Sequence, residues 1–236
     1  IRMARLDDMP FERSHRASDI TSEGLLAEAT ANIKTFLRVP EDYVLMFMLG
    51  GATPTMDAAA WNMVKDTVSG FRFGAFSNLW GKKIMGSLPD ITGTYADLEG
   101  DEVFPSAGLD TDASFIFCTP NETSAGVAIP NDMLSEIYTA KSDDSIVGWD
   151  CTSCAGGRLL PEKDFDVMAF SLQKCFGTPG GTGIMILSPD AVKRAEEVAQ
   201  IRAIPHSLKL AGPKMPIDRA QSKCQTLNTP NIPNIW

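Results

Sequence analysis

Two residues stand where covalent and acid–base chemistry could begin. Lys174 lies in Ser171-Leu172-Gln173-Lys174-Cys175-Phe176, and Asp150 in Trp149-Asp150-Cys151-Thr152. Each follows a short apolar segment of strand character, 166–170 for the lysine and 145–149 for the acid. A lysine beyond a strand is commonly a solvated charge. Here Leu172 and Phe176 flank it and a Gly/Thr-rich run follows, and an amine held among apolar groups loses proton affinity and can act as a nucleophile. Asp150 can cap a loop, or it can face a buried cationic nitrogen. A third feature, Gly50-Gly51-Ala52-Thr53-Pro54-Thr55, joins the apolar run 43–49 to a helical pattern. Small residues there let backbone N–H groups approach an anion, a helix N-terminus adds its dipole, and Thr53 and Thr55 carry hydroxyls. The same segment could be no more than a tight turn, and no Gly-Lys-Ser/Thr follows to make it a Walker loop.

The three features together are more specific than any one of them. An amine after one strand, an acid after the previous one and an anion cradle after an earlier one suit pyridoxal phosphate (PLP). That cofactor needs a lysine for its aldehyde, a carboxylate for its pyridinium nitrogen and donors for its phosphate. Trp80 could lie flat on such a ring, although a tryptophan in an amphipathic helix is more often core.

The elements that must position these residues alternate between strand and helix. Leu25, Leu26, Ala29, Ile33 and Leu37 recur at helical spacing, giving a helix over 22–37. The run 43–49 reads as a strand buried on both faces. Helices are expected over 56–68, 77–85 and 131–141, and strands over 114–118, 145–149, 166–170 and 183–187. Pro189-Asp190 opens a helix over 191–201. Such alternation gives an α/β fold, a mixed and mostly parallel sheet flanked by helices, with ligands bound beyond the C-terminal ends of the strands. The segment 203–236, rich in Pro and Asn, reads as an extended tail draped over this domain or over a partner.

Bulk properties exclude several classes. The 44% hydrophobic and 22% charged residues fit an ordinary globular protein rather than a disordered one. A net charge of −9 without Lys/Arg clusters argues against nucleic acid, and it sets an unfavourable field for anionic ligands. No stretch approaches the roughly 18 apolar residues that a membrane span needs. Five irregularly spaced cysteines point to a reducing compartment rather than a disulfide framework. Cys151-Thr152-Ser153-Cys154 could hold metal or act in redox chemistry. Neither His15 nor His206 completes a ligand pair, so buried small residues are the simpler reading and no metal is expected.

The chain resembles the phosphoserine aminotransferases, class V PLP enzymes, and most of all their actinobacterial-type branch. The resemblance runs almost from end to end. It rests on Ser14-His15-Arg16, the Gly50–Thr53 loop followed by Met56-Asp57-Ala58-Ala59-Ala60, and Phe73-Gly74-Ala75-Phe76-Ser77. It continues through Asn121-Glu122-Thr123-Ser124-Ala125-Gly126, the block 150–157, Gln173-Lys174 and the block 225–230. It implies the large domain of a fold type I PLP-dependent transferase, with the C-terminal small domain outside this chain. By the same resemblance Lys174 forms the Schiff base, Asp150 pairs with the pyridine nitrogen and Trp80 stacks on the ring. Ala52 and Thr53 hold the phosphate, the latter where some relatives carry Arg. Thr123 and Gln173 hydrogen-bond the cofactor, and Asn228 and Thr229 reach the neighbour's phosphate across a homodimer. Arg16 holds the substrate carboxylate beside His15. The implied organisation is a substrate-binding segment 1–20, a PLP domain 21–202 and a partner-contacting tail 203–236. The implied activity is cytoplasmic transfer of an amino group between glutamate and 3-phosphohydroxypyruvate, giving O-phosphoserine and 2-oxoglutarate in serine biosynthesis. The alternatives are another class V chemistry, such as alanine–glyoxylate transamination or cysteine desulfuration with Cys224 as its thiol, or a catalytically incomplete fragment acting only in assembly.

Overall fold

The computed structural model describes residues 16–18, 20–97, 108–226 and 235. Its nine strands are β1 (Val44–Leu49), β2 (Thr67–Arg72), β3 (Thr92–Asp97), β4 (Phe115–Cys118), β5 (Asn121–Glu122), β6 (Val127–Ala128), β7 (Ile146–Asp150), β8 (Val167–Ser171) and β9 (Thr182–Leu187). Its six helices are α1 (Leu25–Leu37), α2 (Ala52–Met63), α3 (Ala75–Ser87), α4 (Asn131–Ala140), α5 (Pro189–Ile201) and α6 (Pro216–Lys223).

Seven strands form one sheet in the order β1-β9-β8-β7-β4-β2-β3, and β5 and β6 form a separate hairpin. In the seven-stranded sheet β9 runs antiparallel to both of its neighbours, whereas the other pairings there are parallel. The reason is chain length. The connection 172–181 from β8 to β9 holds no helix, and a parallel return needs a crossover of about a dozen residues or more. β1, β2, β4, β7 and β8 therefore all end at the same edge of the sheet, and β9 begins there.

Alternation along the strands feeds two cores. On β4, Phe115 and Phe117 face α2, α3 and α5, and Ile116 and Cys118 face α1 and α4. On β9, Met185 and Leu187 share the first core, and Ile184 and Ile186 the second. The sheet is thus covered on both faces, which is why its central strands read as unbroken apolar runs.

Several expectations shift. The helix expected over 56–68 begins earlier, at Ala52, and stops at Met63, and Val68 lies on β2. β2, β3 and the small hairpin were not read from the sequence. β1 is an edge strand, half-exposed toward its end, rather than a strand buried on both faces. Within the segment from 203 the chain forms α6, which packs on β1, and Leu210, Ala211 and Ile217 are buried in the same core as Val44.

The C-terminus of α2 is anchored by cations. Arg194 donates to the Met63 carbonyl at 3.0 Å and Arg202 to the Val64 carbonyl at 2.6 Å, where the helix dipole is negative. Its opposite end opens onto the site.

Candidate active site

A cavity of about 320 Å³ lies at the shared strand edge, walled by residues that follow β1, β4, β7 and β8. Seven residues expected to act together line it: Ala52, Thr53, Trp80, Thr123, Asp150, Gln173 and Lys174. They are far apart in sequence, and the parallel order of the sheet is what assembles them.

The anion cradle begins with two glycines in the left-handed region, Gly50 at φ 87° and Gly51 at φ 74°. A side-chain-bearing residue would be strained at either position. This turn starts α2 immediately, with Gly51 as its N-cap and no side-chain cap on its first N–H groups. Gly183 must also be glycine for space, since a Cβ there would lie 2.3 Å from Thr55 Oγ1 and 2.6 Å from the Gly51 carbonyl oxygen. Of the two expected hydroxyls only that of Thr53 faces outward. Thr55 is buried and donates to the Gly51 carbonyl at 2.7 Å, because a buried hydroxyl must find a partner and the helix offers one four residues back.

Asp150 ends β7 and is 5% exposed. Burial pushes its carboxyl up to about 6, against the opposing hydrogen bonds of Thr152 and with a further push from Glu122. The Thr152 N–H donates to Asp150 Oδ1 at 3.0 Å. Among the described residues no cation pairs with this carboxyl group, and a protonated nitrogen placed against it would favour the ionised form.

Lys174 stands three residues beyond β8 and is exposed into the cavity mouth. Its flanking apolar residues do not enclose it. Leu172 and Phe176 turn to the second core, where Phe176 stacks on Phe170 at 5.5 Å. Gln173 accepts from the Ser171 hydroxyl and is itself exposed.

Trp80 borders the cavity but offers it almost no surface. It is 1% exposed and packs edge-on against Phe115 and Phe117, with centroids 6.1 and 5.2 Å away. The aromatic ring presented to the cavity from the same helix is Phe76, 46% exposed and one turn nearer the helix start. Sequence reasoning ranked the larger ring first and missed this one. It also missed Thr119, Glu122 and Lys83. Thr119 follows β4, is 2% exposed, and its hydroxyl has no partner among the described residues. Its only signal was a polar residue directly after an apolar strand. Lys83 enters the cavity wall from α3.

Arg16 is exposed and does not line the cavity. His15, Asn228 and Thr229 lie outside the described residues. Cys151 and Cys154 are buried, as a structural reading of that pair expects, and burial pushes the Cys151 thiol well above its usual range. No helix among the described residues is long and apolar enough to cross a membrane.

No protein-family model matches the chain. A phosphoserine aminotransferase of Corynebacterium glutamicum (strain R) is 32% identical over 225 residues, which cover 93% of this chain and 55% of that protein. The chain is homologous to phosphoserine aminotransferases over part of their length. It spans a little over half the length of the curated relatives it matches. The phosphoserine aminotransferase structure from Cytophaga hutchinsonii superposes with a TM-score of 0.82 at 26% identity, covering 94% of this chain and 60% of that one. PLP-bound phosphoserine aminotransferase from Trichomonas vaginalis, at 21% identity and a TM-score of 0.73, shares the fold. The fold implied by the sequence resemblance, an aminotransferase large domain with a mostly parallel mixed sheet, is the fold found.

Proposed function

We propose that the chain is the cofactor-binding part of a PLP-dependent phosphoserine aminotransferase, moving an amino group between glutamate and 3-phosphohydroxypyruvate. One observation carries the reading: Lys174, Asp150 and the uncapped start of α2 wall a single cavity. The residues fit the cofactor on their own terms. Among the described residues a buried acid has no cationic partner, a buried Thr119 hydroxyl has no partner, and the start of α2 has no side-chain cap. When bound, PLP supplies a cationic ring that takes up electrons from a substrate carbon.

The chain's own residues divide the remaining work. Asp150 would pair with the ring nitrogen and favour its protonated form. Thr53, with the N–H groups of Ala52 and Thr53, would hold the phosphate. Thr123 and Gln173 would hydrogen-bond the cofactor, and Phe76 offers its ring to the same cavity. Lys174 Nζ would hold the cofactor through its aldehyde, and as a free amine it would take the proton from substrate Cα. Arg16 of the segment 1–20 would take the substrate carboxylate, with His15 beside it lining the substrate pocket. Asn228 and Thr229, in the tail 203–236, would extend the apparatus across a homodimer. The enzyme works in the cytoplasm, in serine biosynthesis. A desulfurase-like reading is not favoured, because Cys224 caps the end of α6 and no cysteine lines the cavity among the described residues.

The test is chemical trapping. Protein loaded with PLP and reduced with borohydride should carry the phosphopyridoxyl group on the peptide containing Lys174, and Lys174→Ala should carry none. Label on another lysine, or none on the wild type, refutes the assignment. Amino transfer from glutamate to 3-phosphohydroxypyruvate by the full-length protein, rather than to glyoxylate, tests the substrate choice.

A further inference from the structure

We propose that Lys83 is the cation that holds the phosphate of the bound cofactor, sharing its charge between that anion and Asp57. This rests on the cofactor reading above. Among the described residues lining the cavity, the cations are Lys83 and Lys174, and Lys174 is committed to the aldehyde. Thr53 brings a hydroxyl but no charge. A phosphate monoester carries close to two negative charges at neutral pH. Here it must enter a protein of net charge −9, into a cavity that already holds Asp150. Backbone dipoles alone would face that field.

Lys83 comes from α3, and its place is fixed by a residue of the cradle helix. Its Nζ lies 3.8 Å from Asp57 Oδ1. Asp57 stands four residues beyond Thr53, so the two side chains share one face of α2. At 3.8 Å the pair is an ion pair but not a close hydrogen bond, so the ammonium keeps donors to spend on a second anion. Both side chains are about 30% exposed, 30% for Lys83 and 29% for Asp57, which limits screening by water. Asp57 thus holds the lysine beside the cradle and also competes for it.

That competition gives the two residues opposite effects on phosphate binding, which a purely structural ion pair would not do. PLP and pyridoxal, which lacks the phosphate, are titrated into the apoprotein and followed by absorbance. Lys83→Met should weaken PLP roughly tenfold, the worth of one hydrogen bond to a charged group, and leave pyridoxal unchanged. Lys83→Arg should restore most of the PLP affinity, and Asp57→Asn should tighten PLP severalfold. Equal loss for PLP and pyridoxal, or loss in both Lys83→Met and Asp57→Asn, overturns the proposal. A substrate phosphate is the other possible source of the anion. If Lys83→Met leaves PLP affinity intact but lowers the preference of loaded protein for O-phosphoserine over serine, the lysine serves the substrate and the proposal fails. Wild-type protein binding neither PLP nor pyridoxal refutes the cofactor reading itself, a separate result from any of these.

Discussion

Glu122 Oε2 accepts the backbone N–H of Ser77 at 2.7 Å, so a side chain on β5 caps the helix that walls the cavity. Its other oxygen takes the N–H and hydroxyl of Ser124, and the Ser124 hydroxyl accepts the Ala75 N–H at 2.7 Å. Burial pushes the Glu122 carboxyl up, but these bonds outweigh it and hold the group below its usual range. The hairpin bearing Thr123 and the helix bearing Phe76 and Lys83 are thereby one unit. Glu122→Ala leaves the buried Ser77 N–H unpaired and frees the Ser124 donors to solvent, and should cost about 1–3 kcal/mol, with Glu122→Gln costing less because it still accepts. Urea unfolding of the apoprotein measures this, and a loss within experimental error would deny Glu122 its capping role.

Asp150 makes the stability of the apoprotein depend on pH. Its folded value of about 6 exceeds the ordinary 3.8, so the fold favours the protonated acid. Its contribution is therefore intact below pH 3.8 and lost as pH rises through about 6. Asp150→Asn keeps the shape and removes the charge. The variant should match wild type in strong acid and exceed it at about pH 8 by on the order of 3 kcal/mol. A pH-independent difference between the two in denaturant titrations would contradict this. Cofactor loading should shrink the gap, since a cationic nitrogen relieves the buried charge.

Gly183→Ala probes the cradle from behind. Its Cβ would meet Thr55 Oγ1 at 2.3 Å and the Gly51 carbonyl oxygen at 2.6 Å, and the carbonyl is backbone that cannot swing aside. The clash should push the turn away from β9 and cost about 1–3 kcal/mol. PLP affinity should fall more than pyridoxal affinity, because the displaced N–H groups serve the phosphate. Unchanged affinity for both ligands would show that the turn does not set the cradle.

Much of this is legible in the sequence, for a definable reason. Asp150 and Lys174 each follow an unbroken apolar strand, and a parallel sheet sends all such residues to one edge. The strands that were missed carry no such signal. β2, with Ser69 and Gly70 in Thr67–Arg72, has a glycine because Phe117 occupies the space a Cβ would need, and β3 lies at an exposed edge. The environment of Lys174 was misjudged for another reason. The chain turns over 172–177 instead of continuing as a strand, with the Gly177 N–H donating to the Lys174 carbonyl, so Leu172 and Phe176 pack into the second core while the lysine stays in the open. Lys83 was invisible because its meaning depends on Asp57, on another helix.

The two aromatic residues of α3 separate cofactor binding from folding. Trp80 is fully enclosed between Phe115 and Phe117, so Trp80→Ala should destabilise the apoprotein by about 3–5 kcal/mol through lost burial and the cavity left behind. Phe76 is 46% exposed at the cavity, so Phe76→Ala removes little from the core and should leave the urea midpoint nearly unchanged. Its effect belongs to the ligand. A lost ring contact should weaken PLP and pyridoxal alike, by roughly tenfold. That equal loss distinguishes a ring-covering residue from a phosphate-holding one such as Lys83. If Trp80→Phe at preserved stability weakened both ligands while Phe76→Ala did not, the buried tryptophan would be the ring's partner after all, and α3 would have to turn toward the cavity on binding.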